Sequence, residues 1–210
     1  MRKECTGFIT AVKNAGESGR SLELLTPEGV TYLFAPGARR LNSKLLSVTR
    51  LYLLIQAEYE KAPGFQRLSE AVVLADFSQF TKDAELFDLA AEAIRVVKIM
   101  LANTQSPEPF YALTLLFAEQ MNKLFQSSAP QEQFQMLELK FYLYLLALCD
   151  FDVPLLCRQK GSGSALSKLC SSLSGLSISQ GIQAQSSAIL TGAARAQLQD
   201  IYKEQLDIVI

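Results

Sequence analysis

The chain has 210 residues, of which 49% are hydrophobic and 20% charged, with a net charge of −1. That length allows one large domain or two small ones, and the composition is that of a folded globular protein, not a disordered or fibrous one. The near-zero charge gives no whole-molecule electrostatic case for nucleic acid, and the absence of histidine removes the commonest general base and the commonest metal ligand together.

The opening Met1-Arg2-Lys3-Glu4-Cys5 is charged and no long apolar segment follows, so no signal peptide is expected. Cys5 to Lys13 then reads as a strand, ending in the turn signal Asn14-Ala15-Gly16-Glu17-Ser18-Gly19. Ser21 to Leu25, a Pro27-Glu28-Gly29 turn and Val30 to Ala35 follow. Thr49 to Glu60 is a long run rich in Leu, Ile and Tyr, and a Pro63-Gly64 break separates it from Phe65 to Leu74. Five short strands with hairpin-sized turns in about this length suit a small closed barrel. The expected fold class is α+β, with a barrel over residues 1–76 and an all-helical domain over 77–210.

Between the third and fourth strands lies Pro36-Gly37-Ala38-Arg39-Arg40-Leu41-Asn42-Ser43-Lys44. Three cations on a glycine-opened loop can follow a phosphate backbone. Gly37 admits close main-chain approach, Arg39 and Arg40 can each fork onto phosphate oxygens, and Lys44 adds a point charge. Lys13 and Arg20 flank the first turn and Arg50 follows the loop, so these three extend a possible positive track. Residues 1–70 hold ten Lys/Arg against seven Asp/Glu, whereas 71–210 hold ten against fourteen, which places the basic surplus with this loop. Single strands are held by such a track together with aromatic stacking platforms. Phe8, Tyr32, Phe34, Tyr52 and Tyr59 lie in the right region, with Tyr32 and Tyr52 the better candidates because each ring carries a polar tip.

From Phe77 the period changes to that of a helix: Leu86, Leu89, Ala90, Ala93, Ile94, Val97, Met100 and Leu101 recur at three and four residues. Ser78 or Thr81 could cap its start. A second helix is expected from Phe110 to Phe125. A third, from Gln131 to Cys149, is apolar nearly all round and so central. Residues 158–192 are rich in Ser and Gly, suggesting short helices and loops, loosely packed. Ala193 to Ile210 reads as a terminal helix. No stretch is long and apolar enough for a membrane span. The four cysteines (Cys5, Cys149, Cys157, Cys170) form no CxxC pair and are expected to be free thiols in a reduced, cytoplasmic setting. No nucleophile has an adjacent base, and Gly161-Ser162-Gly163-Ser164 lacks the lysine of a phosphate loop, so no catalytic residue is assigned.

Taken in order, Gly7, Gly16-Glu17-Ser18, Leu24-Leu25-Thr26-Pro27-Glu28-Gly29, Gly37-Ala38-Arg39-Arg40 and Ser43 resemble the N-terminal domain of the RecO family of bacterial DNA-repair proteins. Phe65-Gln66-Arg67-Leu68-Ser69-Glu70-Ala71 with Phe77 resembles the end of that family's barrel. Leu137-Glu138-Leu139, Phe141, Leu145 and Leu148, followed by Phe151-Asp152-Val153-Pro154-Leu155-Leu156-Cys157, resemble its later helix–proline–cysteine passage. The resemblance covers roughly residues 5–157. It implies an OB-fold barrel followed by a helical domain. It also implies a non-catalytic recombination mediator that binds single- and double-stranded DNA, anneals strands and loads recombinase. Implied partners are a RecR-like protein and the acidic tail of a single-stranded-DNA-binding protein, which a cation such as Lys123 would suit. Many family members carry a four-cysteine zinc site. Its motif is not intact here, and no metal or cofactor is expected. The alternative is a protein-interaction module that bridges those partners with weak DNA binding of its own.

Overall fold

The structure, a computed structural model, describes residues 2–62, 64–102, 104–159, 165–173, 178–183 and 192–206. The chain forms two compact units, one of Met1–Lys82 with Thr104–Ala112 and the other of Asp83–Asn103 with Leu113–Ile210.

The first unit is built on five strands: β1 (Arg2–Ala15), β2 (Gly19–Thr26), β3 (Gly29–Ala35), β4 (Leu53–Ala62) and β5 (Phe65–Asp76). They close into a barrel in the order β1-β2-β3-β5-β4. Every neighbouring pair is antiparallel except β3 with β5. This is the five-stranded OB arrangement. The β2–β3 turn is set by chemistry that Pro27-Glu28-Gly29 announces. Gly29 takes a φ of 115°, and the Thr26 hydroxyl donates to the Gly29 carbonyl at 2.9 Å.

Alternation along the strands sends Ile9, Leu22, Leu24, Leu33, Leu53, Ile55 and Leu68 into the barrel core. Each such side chain contributes about 1.5–3 kcal/mol by leaving water. Phe8, one residue before Ile9, points the other way. It builds a second, aromatic cluster with Tyr52 at 5.9 Å and Phe77 at 6.0 Å, and Tyr52 in turn meets Phe80 at 5.2 Å. That is why four consecutive residues of β1, Gly7 to Thr10, are all buried. The fourth strand begins at Leu53, later than the expected Thr49. Val48 and Thr49 are buried in the loop instead. Tyr52 turns the chain with a φ of 62°, its N–H donating to the Ile9 carbonyl and its own carbonyl accepting from Phe77 N–H.

The second unit is helical: α1 (Ala84–Leu101), most of α2 (Glu108–Gln126), α3 (Gln131–Leu148), α4 (Val153–Gln159), α5 (Ala165–Leu173), α6 (Ile178–Gln183) and α7 (Gly192–Leu206). The cap of α1 is Asp83, not Ser78 or Thr81. Its carboxylate accepts from Glu85 and Leu86 N–H, while Ser78–Lys82 forms a short 3-10 turn. α3 is buried from Phe134 to Leu146 on nearly every side except at Gln135, as its all-round apolar character requires. The Tyr202 hydroxyl of α7 donates to the Tyr142 carbonyl of α3 at 2.6 Å. Between 158 and 192 the described residues include α5 and α6, whose Leu166, Leu169, Leu173 and Ile182 are buried. The Ser/Gly content there does not announce this. Residues 207–210 of the expected terminal helix and the Gly161–Ser164 segment lie outside the described residues.

Cys5 and Cys149 are free thiols, but Cys170 is disulfide-bonded, so the expectation of free thiols throughout does not hold. Among the described residues no helix is long and apolar enough to cross a membrane. Among them, too, no group of three or more His, Cys, Asp or Glu is placed to hold a metal ion.

Candidate nucleic-acid interface

The segment from Pro36 to Tyr52 joins β3 to β4 as a run of tight turns. Arg40 N–H donates to the Gly37 carbonyl, Ser43 N–H to Arg40, and Leu46 N–H to Ser43, each near 3 Å. Gly37 opens the run at a φ of 64°, where a side chain would be strained. Ala38 plugs the barrel core and Val48 and Thr49 are buried, so the loop is held at both ends. The residues between these anchors face water: Arg39, Arg40, Asn42 and Lys44 are exposed, and Leu41 is 91% exposed.

Two further bonds fix where the loop lies. Arg39 N–H donates to the Ser18 carbonyl at 2.9 Å, tying the loop to the β1–β2 turn. The Arg20 guanidinium donates to the Thr49 carbonyl at 2.7 Å and to its hydroxyl at 3.1 Å. Thr49 in turn donates to the Leu45 carbonyl at 2.7 Å. Arg20 is therefore a half-buried staple beneath the loop. Lys13 is exposed on β1, beside the Asn14–Arg20 backbone pair at the same turn. Arg50 is placed differently. Its Nη2 lies 3.0 Å from Asp76 Oδ2, and its Nε donates to the Ser47 carbonyl. Burial pushes the Asp76 carboxyl up, but hydrogen bonds from Ser78 and the charge of Arg50 outweigh it and hold that carboxyl below its ordinary range. Among the described residues, Arg39, Arg40, Lys44 and Lys13 take part in no ion pair, whereas Arg50 does.

The aromatic candidates divide by burial. Tyr52, at 2% exposure, belongs to the core cluster with Phe8 and has no face to offer a base, against the expectation from its hydroxyl. Burial pushes that hydroxyl up to about 12. Tyr32 is 60% exposed on β3. Phe65, which the sequence reading passed over, is 47% exposed at the start of β5 and meets Phe34 edge-on, with ring centres 5.6 Å apart and planes at 84°. Arg67, two residues further on, is exposed as well. The signal was an aromatic and a cation two apart directly after the Gly64 turn.

Such barrels take oligonucleotides on the β2–β3 face and the loops that follow β1 and β4. Here the β1–β2 turn, the β3–β4 loop and the start of β5 all meet around Phe34. In the helical unit, by contrast, a cavity of about 680 Å³ between α1 and α3 is lined by Glu85, Asp88, Glu92 and Glu138, with Arg95 bonded to Glu92. Its charge is the wrong sign for a phosphate backbone.

No protein-family model matches the chain. It is similar to the DNA repair protein RecO of Prochlorococcus marinus (strain MIT 9303), 32% identical over 155 residues, 72% of this chain and 57% of that one. It is also similar to the DNA repair protein RecO of Nostoc punctiforme, 31% identical over 122 residues, 58% of this chain and 40% of the relative. A third relative of the same description, from Gloeothece citriformis, is 26% identical over 129 residues, 61% of this chain and 44% of its own. The chain spans a little over half the length of the first of these.

Proposed function

The chain belongs to the RecO family of DNA-repair proteins, and from that membership we propose that it is a non-catalytic recombination mediator. It binds single- and double-stranded DNA through the phosphate backbone and promotes annealing and recombinase loading in the cytoplasm. The observation that carries this reading is the exposed cationic loop, with Arg39, Arg40 and Lys44 facing solvent at the end of a barrel of the oligonucleotide-binding kind. Lys13 extends the cationic surface. Arg20 shapes it from beneath, and Arg50 contributes less because Asp76 already compensates its charge.

Fluorescence anisotropy of labelled single- and double-stranded oligonucleotides, titrated across salt, tests it. Affinity should fall linearly on a log–log plot, because each phosphate contact releases counterions. The double variant Arg39→Ala with Arg40→Ala should weaken binding of all sequences about equally and flatten the salt slope. Unchanged affinity in that variant would remove the loop from the interface. No binding by the unaltered protein at low salt would overturn the mediator reading.

A second reading has one observation in its favour. The acidic cavity on the helical unit is unsuited to DNA and better suited to a protein surface. On that reading the chain bridges a RecR-like protein and the tail of a single-stranded-DNA-binding protein. An acidic tail would be repelled by that cavity and better met by the exposed Lys123 in the last turn of α2. Retention of those partners with no DNA binding at low salt would favour it.

A further inference from the structure

We propose that Phe65 is a stacking platform for one unpaired nucleobase, and that it makes the barrel prefer single strands to duplex; this rests on the DNA-binding reading above. Phe65 is a large apolar ring left 47% exposed, yet it is held in place. Phe34 supports it edge-on at 84°. Phe34 is itself seated on Gly19, where a Cβ would come within 2.6 Å of its ring and 2.8 Å of the Ala15 carbonyl oxygen. Any side chain at Gly19 would push Phe34 away. A rigid, half-exposed ring loses little freedom when another ring stacks on it.

The charges around the ring name the occupant. Gly19, which lies against Phe34, adjoins Ser18, whose carbonyl accepts from the Arg39 backbone N–H, and Arg40 follows in the same loop. Arg67 lies two residues along β5 and so projects from the same side of the strand as Phe65. It is backbone-paired with Phe34. An exposed aromatic ring with exposed arginines on the neighbouring loop and along its own strand matches a polyanion with flat aromatic units. An apolar protein surface would have to desolvate those cations without pairing them. In a duplex the bases are already stacked on one another and are not free to cover Phe65, whereas the phosphates remain free to meet the arginines. Single strands alone therefore gain the stacking contact.

The chain contains no tryptophan, so Phe65→Trp introduces a single selective fluorophore at the platform. Its emission should be quenched by an oligothymidylate of about 16 nucleotides, the upper site size for one such barrel. It should not be quenched by an abasic oligomer of the same length that still binds by anisotropy. Phe65→Ala should weaken single-strand binding by roughly 5- to 150-fold, the worth of one stacked base, and leave duplex binding little changed. Phe65→Trp should restore the single-strand affinity. Equal single-strand affinity of Phe65→Ala and the unaltered protein, or equal quenching by the thymidylate and abasic oligomers, would overturn the platform while leaving the cationic interface standing. Loss of single-strand and duplex binding alike in Phe65→Ala would also overturn it, as would failure of Phe65→Trp to recover the affinity. Failure of the unaltered protein to bind either oligonucleotide would overturn both readings together.

Discussion

Cys5 shows how far a residue's environment departs from its identity. It is half-buried on β1 opposite Ala57. Burial first, and the Glu28 carboxylate second, raise its thiol from an ordinary 9.0 to about 11. The folded state thus keeps a proton that the unfolded chain gives up earlier. Below about pH 9 both states are protonated and the contribution is fully present. It is lost as pH climbs toward 11, because only the unfolded state gains from ionising. Urea midpoints measured between pH 8 and 11 should therefore fall, and Cys5→Ser should make that fall shallower. At this scale the sequence was partly legible. Arg39, Arg40 and Lys44 could be read as exposed because a polar loop has nowhere to hide them. Tyr52 could not be read as buried, nor Phe65 as exposed, because a ring in a barrel strand is apolar either way. The face it takes depends on partners such as Phe8, Phe80 and Phe34 that are distant in sequence.

Among the elements, the β3–β4 loop depends on one hydroxyl. Thr49 is fully buried, donates to the Leu45 carbonyl and accepts from Arg20. Thr49→Val keeps the shape but removes both hydroxyl bonds, leaving the Leu45 carbonyl without its donor and Arg20 held by the Thr49 carbonyl alone. Such a loss costs about 1–3 kcal/mol. Denaturant unfolding should show it, and DNA affinity should drop without any DNA-contacting cation having been removed. If affinity is unchanged, the staple does not position the loop. The strands themselves were legible because Gly and Pro punctuate them. Observed bounds extend the expected ones by one to three residues at most ends, and the late start of β4 comes from the left-handed turn at Tyr52. Helix α1 announced its apolar face correctly, but its cap was misread. Asp83 stood among acidic residues that suited the helix dipole equally well.

For the molecule as a whole, a net charge of −1 conceals a basic barrel half and an acidic helical half. DNA affinity concentrated on one loop has a bounded salt dependence. With Arg39, Arg40, Lys44, Lys13 and Arg67 all engaged, the single-strand slope should not exceed about −3.5, and the double arginine variant should lose roughly two-fifths of it. The barrel's closure carries a consequence of its own. β3 and β5 are joined by a single registered pair, Phe34 with Arg67, whereas every other seam of the barrel has seven or more. A closed sheet opens first where its ladder is shortest. Backbone amides on the β3-facing edge of β5, near Arg67, should therefore exchange with solvent sooner than those of β1 paired with β2. A strand lying across Phe65 and the arginines would clasp that gap from outside and slow the exchange. Hydrogen exchange with and without oligonucleotide would then show the barrel completed by its ligand.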